Sequence, residues 1–258
     1  MNRALPNLLS RIWLPVLLIA AWWLLSAGTQ SLYFPAASDI ATEIERTWIF
    51  DHAIQDLLPS LRNMLAGFAI GVVTGTLVGT ILGSIPRLLD ALHPEIEFSR
   101  ALPGVAILPI AILVLGLGDT MRVFVIALGA MWPVLVNTTY AVRGIDSTTK
   151  DVERAFGLSA LSKYFRVRLP AVLPQIFAGA RVSLYLSVAL IVVSEMQGAG
   201  KGIGHFVLTA QRNWAVAEMW SGMVILGVVG YGLSVLFRGC ERIALRNYPP
   251  DNVRKGRS

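Results

Sequence analysis

The sequence predicts an all-α membrane protein with six transmembrane helices. Of its 258 residues, 55% are hydrophobic and 15% charged, against about 25% charged in soluble domains; the mean hydropathy is +0.62. Apolar runs at or near the length that crosses a bilayer recur along the chain. None of them alternates with the period of two that a membrane barrel strand requires. Backbone groups in hydrocarbon must pair within their own segment, so each run is read as a helix.

The six expected spans are residues 12–27, 64–82, 101–117, 123–142, 182–196 and 219–237. The first follows Arg3 and Arg11 and precedes "SAGTQS", a pattern shared with cleaved signal peptides. Trp13, Trp22 and Trp23 favour a retained helix, because tryptophan prefers membrane interfaces. Basic residues set the orientation. Segment 28–57 carries Asp39, Glu43, Glu45, Asp51 and Asp56 against Arg46 alone. Segment 143–168 carries Arg143, Lys150, Arg154, Lys163, Arg166 and Arg168, and the tail is equally basic. Basic loops stay in the cytoplasm, so both termini and the 143–175 loop are expected inside and 28–57 outside. The net charge of +6 therefore reflects topology, and nucleic acid is not an expected partner. Cys240 has no second cysteine to pair with, and His52, His93 and His205 form no metal-ligand spacing.

The second span contains "GFAIGVVTGTLVGTILG", in which Gly67, Gly71, Gly75, Gly79 and Gly83 recur every fourth residue. Four residues advance about 400° around a helix, so the glycines form a slowly winding groove. Such a groove admits a neighbouring backbone, which is how helices pack where lipid removes the hydrophobic drive. Whether that neighbour belongs to the same chain is open at this point. The third span opens on "RALPGVAILP" and the fourth contains Trp132-Pro133. Pro103, Pro109 and Pro133 lack the donor a helix interior needs. Carbonyls freed at membrane depth are tolerated only against protein or a water-filled cavity. Pro103, Pro109, Trp132 and Asn137 are therefore candidates for a translocation path. Glu195, a carboxylate at the end of the fifth span, is a fifth candidate; reaching interfacial water is its alternative role. Arg181 reads as an interfacial anchor.

Between the fourth and fifth spans stands "DVERAFGLSALSKYFRVRLPAVLP". Thr148 with Asp151 resembles a capping box, with Asp in place of Glu. A short helix is expected through Phe156, with Val152, Ala155 and Phe156 on one face and Asp151, Glu153 and Arg154 on the other. Gly157 suits the left-handed residue that ends a helix, and Ser159 suits the cap of a second short helix. Leu169-Pro170 is expected to stop that helix, because the residue before proline avoids the α region. A protruding helix with an aromatic end fits a groove on a partner protein.

These residues resemble the cytoplasmic loop of ABC-importer permeases, whose pattern is E-A-A, three residues, G, nine residues, I-x-L-P. Asp151-Val152-Glu153, Gly157 and Val167-Arg168-Leu169-Pro170 fall at those spacings, with the first triplet departing in residue type. "ALPGVAILPIAILVLGLGD" and "ALIVVSEMQGAGKGIG" are similar to the branch that imports nitrate, sulfonates, taurine or bicarbonate. The resemblance implies the type I importer permease fold, with a coupling helix between spans four and five. It implies an N-terminal span and external segment over 1–57, a permease core over 58–248 and a basic tail over 249–258. The implied partners are a second permease copy, two cytosolic ATPase subunits, which hold the ATP and Mg²⁺, and an extracytoplasmic substrate-binding protein. The implied location is the inner membrane. The ATPase-coupling role carries over to Asp151, Val152, Glu153, Arg154, Ala155, Phe156, Gly157 and Leu158.

An enzyme reading finds little support. "GAGKGIG" at 198–204 lacks the Ser or Thr that a phosphate loop needs after Gly-Lys, since Gly202 stands there. It falls on the expected outer side, where a tight turn suits it better. The remaining rivals are a stand-alone membrane enzyme or scaffold and an ion-driven carrier; the scarcity of mid-span charges counts against the carrier.

Overall fold

A computed structural model describes residues 4–28, 31, 33–49, 52–146, 156–157 and 159–246. The described residues form helices α1 (Ala4–Ser26), α2 (Ala37–Trp48), α3 (Leu58–Ser84), α4 (Pro86–Ala101), α5 (Leu108–Leu115), α6 (Asp119–Arg143), α7 (Ala160–Lys163), α8 (Leu169–Met196), α9 (Ile203–Arg212) and α10 (Val216–Ala244). Four helical stretches are long and apolar enough to cross a membrane: Ala53–Ser84, Asp119–Arg143, Tyr164–Met196 and Val216–Ala244. A fifth arises if Pro86–Ala101 and Gly104–Leu115, bent by 89°, form one crossing. The apolar stretch Val16–Ser26 of α1 is shorter than a span. Six separate spanning helices, as expected from the sequence, are therefore not what the described residues contain.

Two expected boundaries need correction. Residues 101–117 are not one helix. Leu102 (ψ 124°) and Pro103 (ψ 125°) are extended, because Pro103 lacks a donor and pushes the preceding residue out of the α region. A 3-10 turn, Gly104–Ile107, then leads into α5. Pro109 lies in the first turn of α5, where its missing N–H breaks no intrahelical bond. Leu169-Pro170, in turn, does not end a helix. Leu169 keeps α-helical angles (φ −57°, ψ −48°), and its N–H reaches back to the Tyr164 carbonyl through the π-helical turn Tyr164–Arg168. The wider turn takes in the proline that an α-helix interior would reject. Helix α8 thus begins at Leu169 and not at residue 182. Arg181, the polar residue that shortened the expected span, donates from Nη2 to Glu241 Oε1 of α10 at 2.6 Å.

The chain divides into two compact units, residues 1–59 with 200–228 and residues 60–199 with 229–258. In the first, Ala37, Ile40 and Trp48 form the buried face of α2. Trp48 meets the Phe206 ring edge-on at 4.9 Å and donates from Nε1 to Ser221 Oγ at 3.0 Å. Asp56, buried, accepts the Gly202 N–H at 2.6 Å, while His52 Nδ1 lies 2.5 Å from its other oxygen. Gly202 (φ +119°) thereby starts α9 from a turn that only glycine adopts easily.

In the second unit, α3 packs on α6 through the glycine ladder. A Cβ added at Gly67 would meet the Val123 carbonyl at 2.9 Å. Added at Gly71, Gly75, Gly79 or Gly83, it would meet the carbonyls of Ala127, Met131, Leu135 or Thr139 at 2.6–2.7 Å. One step before the ladder, Asn63 Nδ2 donates to Asp119 Oδ1 at 2.9 Å, with the same offset of 56 residues. The two helices therefore run parallel in fixed register. Their contact is backbone against backbone, the close approach that glycine permits. Helix α8 runs antiparallel to α6: Gly179 abuts the Pro133 carbonyl, and Ser183 Oγ donates to the Ala130 carbonyl at 2.6 Å. Met64, Leu108, Met121, Val125, Ile126 and Ile191 fill the adjoining core.

Candidate functional site

Helices α6 and α8 and the broken segment after α4 enclose a cleft of about 500 Å³. Its walls are Leu102, Gly104, Val105 and Ile107 on the broken segment, Val125 to Asn137 on α6, and Leu186 to Val193 on α8. From Val125 to Asn137 the α6 wall rises about 18 Å, at 1.5 Å per residue, so the cleft follows the helix through much of a bilayer's depth. One break in regular helix and one missing backbone donor shape it. The extended pair Leu102-Pro103 leads one wall into the cleft. Pro133, itself a lining residue, cannot donate to the carbonyl of Gly129, which also lines the cleft. Nearby backbone acceptors are satisfied by side chains: Asn137 Nδ2 donates to the Pro133 carbonyl at 2.8 Å, and Ser183 covers Ala130.

Of the five path candidates, the cleft brings Trp132 and Asn137 together. Pro103 and Pro109 stand outside its lining, Pro103 before the 3-10 turn and Pro109 in the first turn of α5. Glu195 is neither in the cleft nor at water. It is 1% exposed and accepts a 2.6 Å hydrogen bond from Ser60 Oγ. Leaving a buried acceptor without its donor costs its desolvation. Ser60→Ala should accordingly lower stability by about 1–3 kcal/mol, read as an earlier unfolding transition in detergent; an unchanged transition would show that Glu195 does not need Ser60.

Three features, one in the cleft and two apart from it, carry little signal in the sequence. Arg100, at the end of α4, lines the cleft. Asp119, in the first turn of α6, accepts from Arg62 Nη2 at 2.6 Å, Asn63 Nδ2 at 2.9 Å and Arg122 Nη1 at 2.7 Å. That carboxylate clamps the start of the α3–α6 ladder and is favourably placed at a helix N-terminus. Asp56 holds Gly202, 146 residues away. Only the α6 clamp has a local signal, in the i, i+3 spacing of Asp119 and Arg122.

In the segment between α6 and α7, the expected coupling residues Asp151, Val152, Glu153, Arg154, Ala155 and Leu158 lie outside the described residues. Phe156 is 75% exposed, and Gly157 has φ +55°. Ser159 Oγ accepts the Ser162 N–H at 3.3 Å as α7 begins.

The helices match chains of solved ABC transporters. A chain of the inward-facing MetNI methionine ABC transporter superposes with a TM-score of 0.64 at 18% identity, covering 78% of this chain and 98% of that one. A chain of an amino acid ABC transporter with histidines gives 0.58 at 16%, covering 81% and 98%. At such identities the likeness is one of fold. The family follows from sequence: residues 67–244 match the binding-protein-dependent transport system inner membrane component, and the chain belongs to that family. It is thus the membrane component of a transport system, a class distinct from the ATP-hydrolysing subunit. Among relatives, the putative aliphatic sulfonates transport permease protein SsuC of Escherichia coli is 32% identical over 247 residues, covering 94% of this chain and 93% of the relative. The nitrate import permease protein NrtB of Synechocystis is 30% identical over 225 residues, covering 83% and 80%. The bicarbonate transport system permease protein CmpB of Synechococcus elongatus is 32% identical over 191 residues, covering 74% and 69%.

Proposed function

We propose that this permease component admits a small anionic solute, such as a sulfonate, taurine or nitrate, by alternating access driven by ATP. Two copies of the chain, two cytosolic ATPase subunits and an extracytoplasmic binding protein make up the working importer. The cleft lined by Trp132 and Asn137 is the observation that carries this reading: it runs along α6 past Pro133 and is walled by the bent Leu102-Pro103 segment, and non-helical backbone in a membrane protein is tolerated where it lines a water-filled cavity. The relatives described above are named for nitrate, aliphatic sulfonates and bicarbonate, all small anions, which supports the solute class. The parallel run of α3 and α6 supports counting the bent pair as a return crossing. With α1 that makes six crossings, both termini in the cytoplasm and the 143–175 loop inside, as the basic residues favour. Residues Asp151–Leu158 form the coupling segment that receives the ATPase motion.

Uptake by vesicles containing the chain, its ATPase and its binding protein tests the proposal. Ethanesulfonate, taurine or nitrate should accumulate only with ATP inside the ATPase compartment and the binding protein outside. Accumulation driven by an ion gradient without the ATPase would instead establish a secondary carrier.

A further inference from the structure

The cleft has one charged side chain among the described residues that line it. Apart from Trp132, Pro133 and Asn137, the lining is aliphatic or glycine; Arg100 alone carries charge. It stands on the last turn of α4, just before the extended Leu102-Pro103 pair. Its Nη1 donates to Glu97 Oε1 at 2.9 Å, and the two side chains are 43% and 46% exposed. That contact engages one of the five N–H groups of a guanidinium. The planar fork matches the oxygens of a carboxylate, sulfonate or nitrate two at a time, as an ammonium does not. Beside an aliphatic wall its charge is less screened than in bulk water. The wall in turn suits the alkyl part of a small sulfonate.

We propose that Arg100 is the solute-discriminating residue of the cleft, and that Glu97 is its resident counter-ion. The oxyanion displaces the Glu97 carboxylate from the guanidinium as it enters, and Glu97 returns as the solute leaves. The exchange keeps the arginine neutralised when the cleft is empty. It also keeps the solute from being held too long, because a competitor for the guanidinium sits one turn away. This inference rests on the small-anion reading given above.

A plain structural role makes a different forecast. An i, i+3 pair on a helix surface contributes little to stability, and breaking it from either side should have the same consequence. Exchange predicts opposite consequences. In vesicles containing the whole importer, with ethanesulfonate and nitrate as probes, R100Q should cut uptake at least about tenfold, the loss expected of a charged hydrogen bond. R100K should restore part of the rate, since it returns the charge without the fork. E97Q should lower the KM and slow saturated uptake, because nothing then displaces the solute. Only complexes that co-purify with the ATPase at wild-type yield enter the comparison; if R100Q does not assemble, R100K and E97Q decide. Should R100Q transport like wild type, or should E97Q raise the KM instead of lowering it, the exchange idea is overturned while the permease reading stands. If the wild-type importer moves neither these probes nor any other small anion, both fall together.

Discussion

Gly75→Leu should leave no stably folded chain in the membrane. Even the first carbon of a side chain at that position would lie 2.6 Å from the Met131 carbonyl and 3.0 Å from Val134 Cβ. The nearer atom is backbone in the middle of α6, so no rotamer change relieves the clash; the helices must separate. Separation forfeits the packing along the whole ladder, where Gly67 to Gly83 all approach α6 in the same way. One extra methyl group in a packed site typically costs about 1–3 kcal/mol, which is the expectation for Gly75→Ala. Leucine adds three more carbons and exceeds it. Gly232→Ala and Gly239→Ala supply the comparison, because an added Cβ there meets nothing within 4 Å; they should fall within about 0.5 kcal/mol of wild type. The measurement is unfolding in mixed micelles by tryptophan fluorescence. A Gly75→Ala transition as late as that of Gly232→Ala would mean that the α3–α6 contact contributes nothing.

Gly157→Val should uncouple transport from ATP hydrolysis. Gly157 sits at φ +55° with open space where a Cβ would go. A loss on substitution would therefore come from backbone conformation and not from a clash. Left-handed backbone costs an L-residue roughly 1–2 kcal/mol, which shifts a conformational population by a factor of about 5–30. Asparagine tolerates the left-handed region better, so Gly157→Asn should retain much of the coupling that valine loses. Phe156, 75% exposed on this chain alone, is the aromatic anchor expected to enter the ATPase groove. Truncating such an anchor commonly costs 2 kcal/mol or more of binding, so Phe156→Ala should reduce co-purification of the ATPase by about thirtyfold in affinity. Solute-stimulated ATPase activity and pull-down yield read the two effects separately. If Gly157→Val, Gly157→Asn and Phe156→Ala all transport like wild type, the coupling assignment is wrong.

The features that the sequence made legible are those whose cause is local. The runs behind α3, α6 and α10 announce themselves by composition, and the four-residue glycine period announces a groove. Gly157, expected in the left-handed region, has φ +55°. The boundaries were harder because polarity and helicity are different properties. A hydropathy window stops at Gln175 and Arg181, but the hydrogen-bond ladder of α8 continues through both, with Arg181 paired to Glu241. Pro103 and Pro170 carry the same local signal and end differently. One breaks the chain into a bend of 89°, the other is carried through by a π turn. What separates them is the neighbouring backbone. Asp56, Glu195 and the Asn63 contact of Asp119 were opaque for a simpler reason: Asp56–Gly202, Glu195–Ser60 and Asp119–Asn63 are 146, 135 and 56 residues apart. No pattern within a window of sequence joins such pairs.

The constant 56-residue offset between α3 and α6 bears on how the membrane segment moves. Its glycine notches and carbonyl teeth repeat every four residues, about 6 Å along the axis. Sliding one helix past the other by less than a full tooth drives backbone into backbone, and Asp119 pins the first notch from the side. Shear is thereby forbidden on the scale of an ångström or two. The two helices are held as one stiff beam, so any rearrangement of the cleft must pivot around that beam or swing it whole.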